Sequence, residues 1–144
     1  MEDKQLQPHA LNVYVKLMRA TNRATNDIHR HLQEDNLTHS QFAVLEALYH
    51  LGPLSQSELS QKILKSNANL TTVVDSLEKK VLVKRLRSSS DRRMVTVTLT
   101  AEGQTLIARV FPRHAEIVTR KFEVLSDEEQ VQLGVLLKKL GFRG

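Results

Sequence analysis

The stretch Lys79–Leu99, KKVLVKRLRSSSDRRMVTVTL, carries the chain's strongest capacity for electrostatic binding. Seven Lys or Arg and one acid lie between Lys79 and Arg93, a local charge of +6 against +5 for all 144 residues. A positive field focused on so short a segment suits a polyanion such as DNA. Just before it, Ser66–Lys80 (SNANLTTVVDSLEKK) mixes two residue classes at helical spacing. Leu70, Val73, Val74 and Leu77 form an apolar face, and Asn67, Asn69, Thr71, Thr72, Asp75 and Ser76 a polar one. Short side chains that both donate and accept hydrogen bonds suit base edges in the major groove, which admits one α-helix. Arg85, Arg87, Arg92 and Arg93 are candidates for phosphate or minor-groove contacts, with Arg93 best placed to enter the narrow groove. Asp91, two residues before Arg93, can hold its guanidinium as a fork and fix its direction. Taken alone, a basic run is equally well read as solvated charge, and Asp91–Arg93 as an ordinary turn ion pair. The helix that precedes the run is what favours DNA.

These residues need a scaffold, and the sequence marks one. Leu11, Tyr14, Met18, Thr21, Thr25, Ile28 and Leu32 recur at spacings of three and four, which predicts a helix from about Pro8 to about Gln33. A small core does not need so long a helix, so part of it is expected to pack on another subunit. Three capping boxes follow: Thr38-His-Ser-Gln41, Ser55-Gln-Ser-Glu58 and Ser126-Asp-Glu-Glu129. The first opens a helix that stops at Gly52-Pro53, the second a short helix, and the third a last helix with Leu133, Leu136, Leu137 and Leu140 on one face. Hydroxyls and N–H groups at helix starts near Thr38, Ser40, Ser55 and Ser66 can meet phosphates. Two strands are expected at Leu82–Leu86 and Met94–Leu99, then a cap at Thr100 and a helix from Ala101 to about Val124, kinked at Pro112. The fold class is therefore mainly α with a small β-hairpin wing: one winged helix-turn-helix domain over residues 1–144. Residues 34–100 are expected to form the reading lobe, flanked by terminal helices over 8–33 and 101–142, which the family resemblance below implies are dimerisation helices.

Composition narrows the alternatives. With no Trp and only two Tyr and four Phe, a stacking platform for single strands is not available. The absence of Cys removes disulfides, thiolate metal sites and thiol redox switches, and fits a reducing cytoplasm. No window approaches the ~20 apolar residues of a membrane span, and the start lacks the pattern of a signal peptide. His29 and His31 diverge on a helix, so no metal site is expected, and His114 on an apolar stripe reads as packing. No glycine-rich phosphate loop or nucleophile-and-base set suggests an enzyme, and no cofactor is expected. The remaining rival is a winged-helix module that docks on an acidic protein.

Several segments together resemble the multiple-antibiotic-resistance regulator (MarR) family. They are Gln41-Phe-Ala-Val-Leu45, Ser57-Glu-Leu59, Leu70-Thr71 through Val74-Asp75, Leu77-Glu-Lys79, Leu82-Val-Lys-Arg85, Asp91-Arg-Arg93 and Leu99-Thr-Ala-Glu-Gly103. The resemblance implies a homodimeric transcription factor, typically a repressor, that binds pseudo-palindromic double-stranded DNA and releases it when a small phenolic or aromatic ligand binds. Terminal-helix residues Leu11, Val15, Val118, Phe122, Leu133, Leu136, Leu137 and Leu140 would then dimerise. Tyr14, Met18, Tyr49 and Phe111 are the candidate ligand contacts, although each also suits plain packing. The tail, Val110-Phe-Pro-Arg-His114 and Leu136-Leu-Lys-Lys-Leu-Gly141, is similar to repressors that respond to quinones and hydroquinones. Two departures stand out. Val81 replaces the family's helix-ending Gly, so the helix is expected to end without the left-handed conformation that valine resists. The family's frequent Arg near Thr72 and Ser76 is absent, which shifts reading toward Asn, Thr or DNA shape.

Overall fold

The computed structural model describes residues 8–63, 67–91 and 93–141. Its elements are α1 (Pro8–His29), a 3₁₀ turn (Arg30–Asp35), α2 (His39–Leu51), β1 (Leu54–Ser55), α3 (Gln56–Ile63), α4 (Asn67–Lys79), β2 (Val83–Arg87), β3 (Val95–Leu99), α5 (Ala101–Phe122) and α6 (Asp127–Gly141). The fold is a winged helix: a helix-turn-helix followed by an antiparallel hairpin.

Local chemistry fixes most boundaries. In all three capping boxes the backbone N–H of the third residue donates to the cap hydroxyl, at 3.1 Å for Thr38, Ser55 and Ser126. The reciprocal bonds from the cap N–H to Gln41, Glu58 and Glu129 are also made, at 3.0, 3.2 and 2.9 Å. Gly52 ends α2 with φ at 78°, as Gly52-Pro53 foretells. α1 is shorter than its periodicity suggests, because the chain tightens into the 3₁₀ turn at Arg30 and leaves it at Asn36, whose φ is 54°. Pro112 lies inside α5, which continues through it to Phe122.

The sheet has three strands in the order β1-β3-β2, all antiparallel. The hairpin register pairs Val83 with Leu99 and Arg87 with Val95. β1 pairs Leu54 with Val97 and Ser55 with Thr96, a strand that the sequence does not announce. Two residues are too few to show a period, and a breaker and a capping box flank them.

The chain divides into two compact units. One runs from His31 to Glu116 and holds the helix-turn-helix, the wing and the larger core. Phe42, Leu45, Leu59, Leu70, Val74, Leu77, Val97 and Ile107 are fully buried there. Each contributes ~1.5–3 kcal/mol by burial, which is what holds α4 as a helix despite its Thr and Val. The other unit comprises the residues up to Arg30 and those from Ile117 onward. Within it, Lys121 donates to Asp27 at 2.7 Å, and that bond holds the Asp27 carboxyl below its ordinary pKa. α6 buries no residue, and Leu136, Leu137 and Leu140 are exposed, as are Leu11, Tyr14, Val15 and Met18 on α1. Val118, Phe122 and Leu133 are half-buried.

Candidate nucleic-acid interface

α4 presents two faces, as its spacing foretells. Leu70, Val74 and Leu77 point into the core, Val73 is half-buried against it, and Asn69, Thr71, Thr72 and Asp75 are exposed. Ser66 and Arg92 lie outside the described residues, as does the side chain of Asn67. Ser76 takes an inward role. It donates to the Val73 carbonyl at 2.6 Å and accepts from Gln41 Nε2 at 3.0 Å, so it ties α4 to α2. Gln41 is buried and fully used: its Oε1 completes the Thr38 box and accepts from Lys80 Nζ at 3.2 Å. Lys80 also donates to the Asn36 carbonyl at 2.5 Å. This polar knot ties the end of α4 to α2, and sequence reasoning gave Gln41 a cap and a place in the family-like segment but no such link.

The start of α3 is joined to α4 through Gln56, another residue the sequence did not single out. Its Nε2 donates to Thr71 Oγ1 at 2.7 Å. Gln56, Ser55 and Ser57 line an open cavity of about 410 Å³ together with Arg93, Met94 and Val95 of the wing. The start of α3 and the tip end of the wing thus share one concave surface. Bonds from Ser55, its hydroxyl foremost, hold the Glu58 carboxyl below its ordinary pKa, which keeps the cap ionised and formed. Thr38 is exposed at the cap of α2 and Ser40, its second residue, is half-buried.

The wing tip organises itself. Ser88 N–H donates to the Met94 carbonyl at 3.1 Å and closes the hairpin, and Ser90 N–H donates to Ser88 Oγ at 3.2 Å. Asp91 does not fork the Arg93 guanidinium as expected. Its Oδ1 accepts the Arg93 backbone N–H at 2.9 Å, a local turn that Asp favours because its side chain reaches two residues on. The carboxylate therefore shapes the backbone and leaves the exposed Arg93 side chain pointing from a fixed turn. Arg87 is exposed at the end of β2. Arg85 is not directed outward: its guanidinium pairs with Asp75 and Glu78 and donates to the Thr71 carbonyl, all on α4. Counting from Asp75 rather than Lys79 lowers the local charge from +6 to +4, so the field is real but smaller than the wing alone implies.

Val81 overturns the expected end of α4. Its φ is 61°, in the left-handed region, with Leu82 N–H bonded to the Leu77 carbonyl at 3.0 Å and Val81 N–H to Glu78 at 2.9 Å. That is the same cap glycine makes, held here by Thr100, whose hydroxyl donates to the Val81 carbonyl at 2.6 Å. The Thr100 hydroxyl also accepts from Gly103 N–H at 3.0 Å, and a Cβ on Gly103 would lie 1.9 Å from the Leu82 carbonyl oxygen. The Leu-Thr-Ala-Glu-Gly segment is thus the joint between α4, β3 and α5.

Of the aromatic candidates, Tyr49 and Phe111 come together, with ring centroids 6.0 Å apart and His50 edge-on to Phe111 at 4.5 Å. Tyr14 and Met18 are exposed on α1 in the other unit. Among the described residues no group of His, Asp or Glu is placed to hold a metal ion.

Comparison with known proteins meets this geometry. A profile described as MarR family matches residues 37–95, from just before α2 to the first residue of β3. The HTH-type transcriptional regulator MhqR of Bacillus subtilis (strain 168) is 35% identical over 132 residues, 92% of this chain and 91% of that protein. Sco3205, a MarR family transcriptional regulator from Streptomyces coelicolor solved in complex with DNA, has a TM-score of 0.89 at 26% identity, covering 96% of this chain and 89% of that one. BpsR of Bordetella bronchiseptica, whose DNA binding is regulated by 6-hydroxynicotinic acid, has a TM-score of 0.82 at 29% identity, covering 91% and 99%. Sequence identity sustained over nearly the whole of both chains, on a fold whose polar helix and arginine wing share one surface, places this chain in the MarR family of DNA-binding winged-helix transcriptional regulators.

Proposed function

We propose that the protein is a homodimeric, sequence-specific repressor whose two lobes bind a pseudo-palindromic operator in the cytoplasm. One observation carries this reading: the start of α3, the exposed face of α4 and the tip end of the wing are joined into one surface by Gln56 and by the cavity it shares with Arg93. In this reading α4 lies in the major groove, where Asn67, Asn69, Thr71 and Thr72 meet base edges. Arg93 enters the adjacent minor groove, and Arg87, Arg92, Thr38, Ser40, Ser55 and Ser66 meet phosphates. Half-sites lie about one helical turn apart, ~10 bp centre to centre. The activity is binding, with no chemistry performed on the DNA.

The test is selection of bound sequences from random duplexes, followed by a salt titration of Arg93→Ala. Enrichment of an inverted repeat is expected, with affinity reduced and the log–log salt slope flattened by ~1 in the variant. Unchanged slope and affinity would remove Arg93 from the DNA. No enrichment even at low salt would leave the rival, a winged helix that docks on an acidic protein.

We further infer release by a small aromatic, phenolic or quinone-like molecule, with Tyr49 and Phe111 as contacts. The support is the paired rings of Tyr49 and Phe111, and the ligand response of BpsR at 29% identity. Such a molecule must bind the non-DNA form more tightly to cause release. A phenol and quinone panel scored by thermal shift and DNA release is expected to give hits that Tyr49→Ala and Phe111→Ala weaken. A blank panel would leave a constitutive binder.

A further inference from the structure

Arg85 sits in the basic segment, yet its guanidinium is turned inward. Nη1 lies 2.7 Å from Asp75 Oδ1 and also pairs with Glu78, and Nη2 donates to the Thr71 carbonyl at 3.3 Å. Thr71, Asp75 and Glu78 fall at i, i+4 and i+7, one stripe of α4 facing β2. The side chain is only 22% exposed, while those of its two acidic partners are 53% and 36% exposed. The same Thr71 takes Gln56 at its hydroxyl, so one residue of α4 is gripped from β2 of the wing and from the start of α3.

We propose that Arg85 is a positioning residue that presets the spacing between α4 and the wing, and with it the protein's preference for operator over other DNA. This rests on the DNA-binding reading above. The reason lies in how two readers combine. When α4 and the wing enter neighbouring grooves, the second contact is intramolecular, and its worth depends on how well their separation is fixed beforehand. A planar fork that meets two carboxylates and a carbonyl fixes both distance and tilt, which a flexible ammonium does not. Non-specific binding, held by phosphates alone, does not need that register. The arrangement also offsets one of the two negative charges that Asp75 and Glu78 carry beside the DNA-facing side of α4.

The test measures operator and random-duplex affinity across salt for three forms: Arg85→Ala, Arg85→Lys, and the double variant Asp75→Asn with Glu78→Gln. Arg85→Ala is expected to lower operator affinity about tenfold, with random-duplex affinity within about twofold and the salt slope unchanged. Arg85→Lys recovers only part. The double variant keeps the arginine but frees it, and its ratio of operator to random affinity is expected to fall as well. If Arg85 instead grips a phosphate, its loss flattens the slope by ~1 and weakens operator and random-duplex binding by the same factor, which would overturn the proposal. Hydrogen exchange reads the brace without DNA: amides of β2 and β3 in Arg85→Ala are expected to exchange about tenfold faster, with those of α2 and α5 unchanged. Unchanged exchange in the wing refutes the brace even if the wild type selects no sequence, an outcome that would sink only the DNA reading.

Discussion

At Val81 a β-branched residue holds a backbone conformation that costs roughly 1–2 kcal/mol relative to the right-handed region. Its side chain is 56% exposed, so packing returns little of that cost. The neighbours overdetermine it: Lys80, Val81 and Leu82 N–H groups cap α4, and Thr100 holds Val81 and Leu82 by their carbonyls. Val81→Gly is therefore expected to raise stability by about 1 kcal/mol, the relief of strain exceeding the entropy glycine adds to the unfolded chain. Urea unfolding checks this, and a lower midpoint would mean the isopropyl group does more than its exposure suggests. Gly103→Ala has the opposite sign, about 1–3 kcal/mol of destabilisation, because the added methyl meets backbone rather than a movable side chain. The sequence marked both positions but reasoned correctly about only one kind of signal. Thr100 as a cap is local and legible. The torsion at Val81 is set by a hydroxyl nineteen residues away, and no local propensity reports it.

Among elements, what the sequence made legible follows the same division. The three capping boxes, the Gly52 stop and the α4 apolar stripe are contained within one turn or one helix, and the structure has them where they were expected. The pairing of β1 with β3 and the clamp from β2 to α4 join residues far apart in sequence, so charge counting placed Arg85 on the outside. The bond between the 3₁₀ turn and α5 is of this second kind. His31 is buried, and its Nε2 lies 3.0 Å from His114 Nδ1, while the His114 ring packs on Phe42 at 4.4 Å. Burial, and after it the charge of Arg113, push the His31 pKa below its ordinary 6.5, while Asp35 and Glu34 pull it upward. Those acids are themselves committed, to Arg109 and Arg113. With the folded pKa below the unfolded one, the unfolded chain binds the extra proton first. Stability from this site is complete above about pH 6.5 and is lost progressively as the pH falls from there toward the depressed value. Urea midpoints of the wild type are expected to fall between pH 7 and pH 5 more steeply than those of His31→Gln. Parallel curves would show that another group controls the acid limb.

At the scale of the whole molecule, the unit built from α1, α6 and the end of α5 buries far less than a folded unit needs. Ile28 is its one buried hydrophobic side chain among the described residues, while Leu136 and Leu140 are 56% and 66% exposed. Contiguous apolar surface of that kind mostly marks an interface, and burying each leucine contributes ~1.5–3 kcal/mol. In the proposed dimer these faces meet those of a second copy, and only then are two reading heads held at a spacing that fits two half-sites. Leu136→Glu combined with Leu140→Glu places two charges one turn apart on that face. Because neither side chain is buried in the protomer, the fold of the reading lobe should survive, and its circular dichroism and Val97-side core should be unchanged. Sedimentation is expected to shift from dimer to monomer. Affinity for an inverted repeat should then fall about a hundredfold or more toward that for a single half-site, since the second contact ceases to be intramolecular. The same variant on a single half-site should bind nearly as the wild type does. A variant that stays dimeric, or one that loses half-site binding as well, would move the interface elsewhere and break the link between the exposed leucines and operator symmetry.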